Sequence, residues 1–323
     1  MTRKSIFCIG EAMVEFRRAD DQFWLQGFAG DALNVGWALR ALLPQDDVAI
    51  RFLSRVGTDS FSNNFLEFLT DSGIQTDLLS RDAERTIGLY SIETDKTGER
   101  SFSYWRGQSA ARHLAAKPDQ LRDALANAHM VYTSGITLAI LLPEHRTGFL
   151  DVLRDLKQAG TLIAFDPNIR PRLWEDPDIM RRTIEMAASL ANIVLPTFED
   201  EALSFGDADP WETIARYKNL GVQEIVVKDG VRSTCYMLEG DKGKVDVQQA
   251  VEAVDTTGAG DSFNGAYLSC RLAGRDVLTA ILNGQAVSKA VVGEKGALID
   301  MSTIRNSSQC STWKAHCGGD LEF

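Results

Sequence analysis

Cysteine is scarce in this chain: it has five, and no two of them form a Cys-x-x-Cys pair. This excludes the common zinc-binding and dithiol redox motifs. Three of the five lie within apolar segments, where we expect buried, reduced thiols. The C-terminal segment with Cys310, His316 and Cys317 has residue types that bind metals, but its irregular spacing is more typical of a loosely ordered tail.

The sequence also lacks an uninterrupted apolar run of about 18 residues, the length that a membrane-spanning helix needs. Because its N-terminus reaches Gly10 before a signal-peptide core forms, we expect a cytoplasmic protein. Basic residues are outnumbered, with 34 Lys and Arg against 45 Asp and Glu, for a net charge of −11. This composition excludes a dedicated nucleic-acid-binding protein, which needs clustered basic residues. An anionic substrate has to be bound by individually placed arginines.

Several catalytic motifs are absent. The four histidines show no metal-binding or triad spacing, and no Gly-x-Ser-x-Gly elbow of a serine hydrolase occurs. The phosphate-binding motif Gly-x-x-x-x-Gly-Lys-Ser/Thr is missing as well. The best candidate for a dinucleotide-binding fingerprint has Phe263 where the third glycine belongs, which disfavours a Rossmann dehydrogenase.

With 323 residues, of which 44% are hydrophobic, the chain is long enough for one large α/β domain. Short apolar runs alternate with amphipathic stretches of helical spacing, as in βαβ units. The predicted strands are 5–9, 48–56, 130–132, 161–165, 193–195 and 224–228, and the predicted helices are 32–42, 61–69, 118–127, 144–158, 180–190 and 211–219. Apolar strands covered by helices predict a mostly parallel sheet.

Two segments, 14–27 and 88–104, alternate polar and apolar residues instead, with a turn at 95–98 in the second. They predict antiparallel strands of a small second sheet that forms a lid over the active edge. We expect one compact domain at 1–300, with lid strands at about 12–28 and 86–106, and a tail at 301–323. The lid residues Phe16, Phe23, Trp24 and Phe28 are compatible with a homo-oligomer formed through the lid and with packing on their own domain.

The most informative segment is Asp255-Thr-Thr-Gly-Ala-Gly-Asp261, which runs directly into a helical pattern. Glycines at 258 and 260 allow unusual backbone angles, so N–H groups around Ala259 are open to an anion at the helix N-terminus. Asp261 is placed to accept a proton from a hydroxyl held beside that anion. An anion site beside a carboxylate that accepts a proton suits phosphoryl transfer. A tight turn with a capping Asp261 is the structural alternative.

A second motif, Ala29-Gly-Asp-Ala-Leu-Asn34, opens a predicted helix. Gly30 lets the backbone approach a ligand, while Asp31 and Asn34 offer polar atoms one turn apart. Such convergent groups suit a polyhydroxylated substrate. An Asp-capped helix with an outward-facing Asn is the alternative.

The segment 255–261 resembles the C-terminal signature of the PfkB, or ribokinase-like, family of carbohydrate kinases, and the segment 29–34 resembles the family's N-terminal sugar-binding motif. Their order and separation along the chain also match the family. The resemblance covers about residues 5 to 300 and implies a ribokinase-like α/β fold with helices on both sheet faces and a β-sheet lid. It also implies ATP and Mg²⁺ as cofactors, Asp261 as the general base, and an anion site at Gly258, Ala259 and Gly260.

Within the family, Gly30-Asp-x-Leu-Asn34, Tyr104-Trp-Arg106 and the segment 166–174 resemble the branch that phosphorylates 2-keto-3-deoxygluconate at its terminal hydroxyl. The carboxylate of such a sugar acid is well matched by a guanidinium fork. The substrate-binding residues that the resemblance implies are Gly30, Asp31, Asn34, Tyr90, Tyr104, Arg106 and Arg170. A fructokinase or ribokinase-type enzyme acting on a neutral sugar is the alternative, and a non-catalytic sugar-nucleotide-binding module is a third possibility.

The strand end Lys228-Asp-Gly230 resembles the nucleotide-contacting loop of the family, although a hairpin turn is an alternative. The implied nucleotide-binding residues are Asn168, Arg170, Lys228, Gly230, Thr257, Gly258 and Gly260. The chain departs from the family at its Asn-x-x-Glu motif, where Thr197 and Asp200 stand at the matching spacing. The metal ligands are therefore left unassigned.

Overall fold

The computed structural model describes residues 3–19, 22–94, 100–247 and 253–310. The predicted turn at 95–98, together with His316 and Cys317, lies outside these residues. The strands are β1 (Lys4–Ile9), β2 (Met13–Arg18), β3 (Trp24–Ala29), β4 (Val48–Leu53), β5 (Arg55–Val56), β6 (Ser80–Arg81), β7 (Gly88–Thr94), β8 (Arg100–Trp105), β9 (Met130–Ser134), β10 (Leu162–Asp166), β11 (Ile193–Val194), β12 (Glu224–Asp229), β13 (Ser233–Leu238) and β14 (Asp241–Asp246). The helices are α1 (Asp31–Leu42), α2 (Ser60–Asp71), α3 (Pro118–Leu125), α4 (Gly135–Ile140), α5 (Pro143–Gln158), α6 (Pro177–Leu190), α7 (Phe198–Phe205), α8 (Pro210–Asn219), α9 (Ala259–Leu272), α10 (Val277–Val292) and α11 (Met301–Ser307).

The main sheet has the strand order β14-β13-β12-β11-β10-β9-β1-β4. The strands from β12 to β4 are parallel to one another, and the hairpin β13–β14 continues the sheet in antiparallel pairing. This confirms the predicted mostly parallel α/β fold. Each predicted apolar run forms a strand at its expected place, and the run 48–56 divides into β4 and β5.

Side-chain alternation along β1 shows why both sheet faces are covered. Ile6 and Cys8 belong to a core cluster that includes residues of α1, α2 and α9, whereas Phe7 and Ile9 belong to a second cluster with α5, α6 and α8. Successive strand residues point to opposite faces, so an apolar strand needs a helix layer on each side. The two layers hold the strand ends in fixed positions around the carboxyl edge of the sheet.

The chain winds from β1 to β4 on one side and later places β9 on the other side of β1. The strand order therefore reverses between β1 and β9. In open parallel sheets, ligands bind at such a switch point, beyond the carboxyl ends of the strands. The ends of β1, β9, β10 and β12 meet there.

The lid is a separate sheet with the order β3-β2-β7-β8. Both local pairs, β2–β3 and β7–β8, are antiparallel as predicted, and β2 and β7 join them in parallel pairing. Phe28 packs on Phe65 and Phe68 of α2, and Phe16 packs on Phe61. Two of the four lid aromatics thus pack on their own domain, while Phe23 and Trp24 are 65% and 40% exposed. Association through the lid stays a prediction.

After α10, the chain continues into α11, whose Ile304 is buried against residues of α1, α9 and α10. The first residues of the segment expected as a tail therefore pack on the domain. Cys8, Cys235 and Cys270 are buried free thiols, in agreement with the sequence. Within the described ranges, no helix is both long and apolar enough to cross a membrane.

Candidate active site

The loop before α9 places glycine where only glycine fits. Gly258 has φ 75°, and a Cβ there would lie 2.9 Å from the Cβ of Ala297. The buried carboxylate of Asp255 fixes the loop by accepting hydrogen bonds from the N–H groups of Thr257 at 2.8 Å and Gly296 at 2.7 Å. Gly258, as the residue before the helix, contributes no side-chain cap. With no side-chain cap among the described residues, the first turn of α9 is a suitable place for an anion at the positive end of the helix dipole.

Not every amide of the motif is open. The N–H of Ala259 donates to the carbonyl of Thr256 at 3.3 Å, which closes the turn. Among the described residues, a Cβ on Gly260 would come within 4 Å of one group outside its own helix, the Nζ of Lys228 at 3.8 Å. The backbone at Gly260 therefore faces open space with a cation beside it.

A hydrogen bond joins the two sequence motifs: Asn34 Nδ2 donates to Asp261 Oδ2 at 2.7 Å. The close approach of α1 and α9 makes this possible. A Cβ on Gly265 would lie 2.6 Å from the Cβ of Ala38 and 2.9 Å from the carbonyl oxygen of Val35, so glycine is needed where the helices touch. Close packing of two helices thus positions the candidate base.

The pKa of Asp261 is raised to about 7, first by burial and then by the neighbouring carboxylate of Asp31, against the effect of the hydrogen bond from Asn34. Burial likewise raises the pKa of Asp31, whose Oδ2 accepts from Asn168 Nδ2 at 3.1 Å. Proximity of two carboxylates disfavours ionisation of both. A general base with a pKa near neutrality is matched to proton transfer at physiological pH.

A third carboxylate, Asp166 at the end of β10, is bound by positive and amide groups. It accepts from Lys228 Nζ at 2.9 Å, from Asn264 Nδ2 at 2.6 Å and from the N–H of Asn168 at 2.9 Å. Asn168 has φ 34°, an uncommon conformation outside glycine. Lys228 is thus held in a buried ion pair beside Gly260, and Asn264 is a site residue that sequence reasoning missed.

The lid contributes Arg106, which follows β8. Its guanidinium forms an ion pair with Glu11, which follows β1, and its side chain is only 13% exposed. Tyr104 stacks on Tyr90 with ring centroids 5.7 Å apart. The hydroxyl of Tyr90 donates to Glu15, so this residue can offer a sugar its ring face and the acceptor lone pairs of its hydroxyl.

Arg170 lies in the loop after β10, with about half of its side chain exposed. It donates to Asp200 Oδ2 at 3.0 Å and to the carbonyl of Ile169 at 2.7 Å. Burial raises the pKa of Asp200. Gly230 forms the β12–β13 turn with φ 55°, and a Cβ there would have no atom of the described residues within 4 Å. Both residues line the same carboxyl edge of the sheet.

Across the described residues, no three His, Cys, Asp or Glu side chains come together as a metal cage. Magnesium is ordinarily held by one or two carboxylates together with substrate phosphates and water. The single carboxylate of Asp200, which is paired with Arg170, is compatible with an ion that arrives with a nucleotide.

Residues 3–304 match the pfkB family of carbohydrate kinases. The chain is 35% identical over 310 residues to a 2-dehydro-3-deoxygluconokinase of Dickeya dadantii, covering 94% of this chain and 99% of that protein. It is 36% identical over 304 residues to the 2-dehydro-3-deoxygluconokinase of Escherichia coli K12, covering 92% and 97%. A putative ribokinase II from E. coli, solved in complex with ATP and Mg²⁺, superposes with a TM-score of 0.80 at 25% identity, covering 95% and 99%.

The chain therefore belongs to the pfkB family and is a carbohydrate kinase with the ribokinase-like fold. The resemblance inferred from the two motifs is confirmed.

Proposed function

We propose that this kinase transfers the γ-phosphoryl group of ATP to the terminal hydroxyl of 2-keto-3-deoxygluconate, giving the 6-phosphate and ADP. Two relatives with about 35% identity carry the name of this activity. The observation that carries the proposal is Arg106, a largely buried guanidinium that the lid brings to the carboxyl edge of the sheet. The carboxylate of a sugar acid can form a charge-assisted pair with such a guanidinium, whereas a neutral sugar has no charged group to pair with it.

Different residues of the chain bind the sugar, accept the proton of its hydroxyl and stabilise the transferred phosphoryl group. Asp31 and Asn34 at the start of α1 bind hydroxyls of the sugar, and Arg106 with Tyr104 binds its carboxylate end. Asp261 accepts the proton of the terminal hydroxyl as its oxygen attacks phosphorus, with Asn34 holding the carboxylate in place. The α9 N-terminus, including Gly258 and Gly260, stabilises charge on the transferred phosphoryl group.

ATP is bound by the loops at Asn168, Arg170, Gly230 and Thr257, with Lys228 beside Gly260. When bound with ATP, Mg²⁺ neutralises charge on the phosphates. The lid sheet excludes water, which otherwise competes as the acceptor. We include residues 1–300 and α11 in one kinase domain, since Ile304 is part of its core.

An assay of ADP release tests the substrate. Purified protein with ATP and Mg²⁺ is given 2-keto-3-deoxygluconate, its galactonate epimer, fructose, ribose or adenosine. Turnover confined to the two sugar acids supports the proposal. Preference for fructose or ribose instead favours the neutral-sugar alternative and removes the role given to Arg106.

Arg106→Ala is expected to raise the KM for the sugar acid about 10- to 150-fold, because hydrogen bonds to a charged group contribute about 1.5–3 kcal/mol. The KM for ATP should stay near the wild-type value. Arg154→Ala, on the surface of α5 and paired with Asp151, is the matched control and should leave both constants unchanged. An equal loss of activity on sugar acids and on a neutral sugar would contradict the assignment.

The pH profile of kcat/KM tests the candidate base. Activity is expected to rise with pH through about 7 and then level off, because Asp261 must be ionised to accept a proton and its pKa is raised. Asp31→Asn removes one repelling charge and should move the midpoint of the remaining activity to lower pH. A profile with no inflection between about pH 5.5 and 8 would exclude Asp261 as the titrating group.

A further inference from the structure

Glu11 is buried at the point where the lid meets the main sheet. It follows β1, and its side chain is 1% exposed. Its carbonyl oxygen lies 2.2 Å from the position of a Cβ on Gly30, and its Oε1 lies 3.0 Å from the position of a Cβ on Gly88. Glu11 thus contacts both the sugar-binding motif and the start of β7, and these glycines leave room for it.

The carboxylate of Glu11 binds two groups from the far end of the lid. One oxygen pairs with the guanidinium of Arg106, and the other accepts from the hydroxyl of Ser109. Within the part of the chain that the structure describes, the buried Nε of Arg106 has no hydrogen-bond partner. A buried polar group without a partner is costly, so the Nε side of the guanidinium is suited to an additional hydrogen-bond acceptor.

We infer that Glu11 is a positioning residue that orients Arg106 toward the carboxylate of the substrate and thereby sets the preference for sugar acids. This inference rests on the proposed function. The ion pair with Glu11 engages one Nη group, which restrains the guanidinium and leaves its Nε and remaining donors for a ligand. The pairing also stabilises a largely buried cation while no substrate is bound.

The electrostatics of the site support this role. The charge of Arg106 acts on Asp31, whose carboxylate is an alternative partner for an unrestrained guanidinium. Asp31 is needed for the sugar hydroxyls, and a side chain as long as arginine has considerable rotamer freedom to lose on binding. Glu11 keeps Arg106 in one orientation before the substrate arrives, which lowers the cost of binding.

The test is a double-mutant cycle with Glu11→Gln and Arg106→Ala, measured on 2-keto-3-deoxygluconate and on a neutral sugar. Glu11→Gln alone is expected to raise the KM for the acid about tenfold, with kcat within about twofold of wild type. In the Arg106→Ala background the same substitution should add almost nothing, because the group that Glu11 orients is gone. Glu84→Gln, an exposed residue, is the matched control and should leave KM unchanged.

An unchanged or lower KM for Glu11→Gln overturns the inference, because Glu11 then does not support binding of the acid. A full additional effect in the Arg106→Ala background also overturns it, because Glu11 then acts independently of Arg106. If Glu11→Gln does not fold, Ser109→Ala decides, because it keeps both charges and removes only the second anchor of Glu11. Its KM for the acid should rise, and an unchanged KM overturns the inference. Failure of the wild-type protein to phosphorylate any sugar acid is a separate result that overturns the proposed function.

Discussion

Asp261→Asn is expected to lower kcat about 10²- to 10⁴-fold, the usual contribution of a general base. The amide has nearly the same size as the carboxylate but cannot accept the proton of the attacking hydroxyl. Because an asparagine at this position can still accept the hydrogen bond from Asn34 through its Oδ1, the substitution should leave the fold intact. The KM for ATP should change little, since the backbone of the α9 N-terminus is unaltered. Steady-state ADP release with both substrates saturating measures the effect.

Asp241→Asn provides the matched control, because this exposed residue of β14 undergoes the same change of charge at the opposite end of the sheet from the N-terminus of α9. Its kcat should equal that of the wild-type protein. A kcat within twofold of wild type for Asp261→Asn would remove the general-base role. A reduced melting temperature for Asp261→Asn without a change in kcat would point to a purely structural carboxylate.

The sequence was sufficient to predict the main sheet because its strands are short apolar runs separated by amphipathic helices. It was insufficient for α10, whose sequence Val277–Val292 is apolar on nearly all sides and so shows no clear helical stripe. The parallel pairing of β2 with β7 could not be predicted from the sequence either. Alternation identifies a strand and its buried face but not its neighbour, and the segments that form β2 and β7 are far apart in the chain.

The same distinction applies to the site. The sequence was sufficient to predict Gly258, Gly260 and Asp261, because a glycine-rich turn and a carboxylate lie together in one local motif. Asn264 follows Asp261 by one helical turn, and that spacing was the available signal for its place beside Asp166. Glu11 gave no local signal, since its partner Arg106 lies in another sheet and only the fold brings them together.

Arg216→Met is expected to lower the free energy of unfolding by about 3–5 kcal/mol, because it leaves buried carboxylates without their cation. Arg216 Nη2 bonds Glu201 at 2.6 Å and Asp207 at 2.7 Å, and Glu201 is fully buried at its side chain. Tyr217 donates a further hydrogen bond to Glu201 at 2.9 Å. Denaturant unfolding at neutral pH measures the loss.

The sign of the pH dependence identifies the cause of this loss. Burial already raises the pKa of Glu201 to about 7, and removal of Arg216 raises it further. A native carboxyl with a raised pKa binds its proton more tightly than the unfolded chain does, so the deficit of Arg216→Met should shrink as the pH falls toward about 7. Below about 7 the wild-type Glu201 is protonated as well, so the deficit should change little from there to about pH 5.

Addition of Glu201→Gln to Arg216→Met should recover part of the stability at neutral pH, because the buried charge is then absent. A double variant less stable than Arg216→Met would show that the lost packing of the guanidinium on Phe205, and not the orphaned charge, causes the deficit. The outcome also bears on the site. Glu201 and Asp200 are neighbours on α7, so an α7 that is loosened by an unpaired Glu201 displaces the carboxylate that holds Arg170.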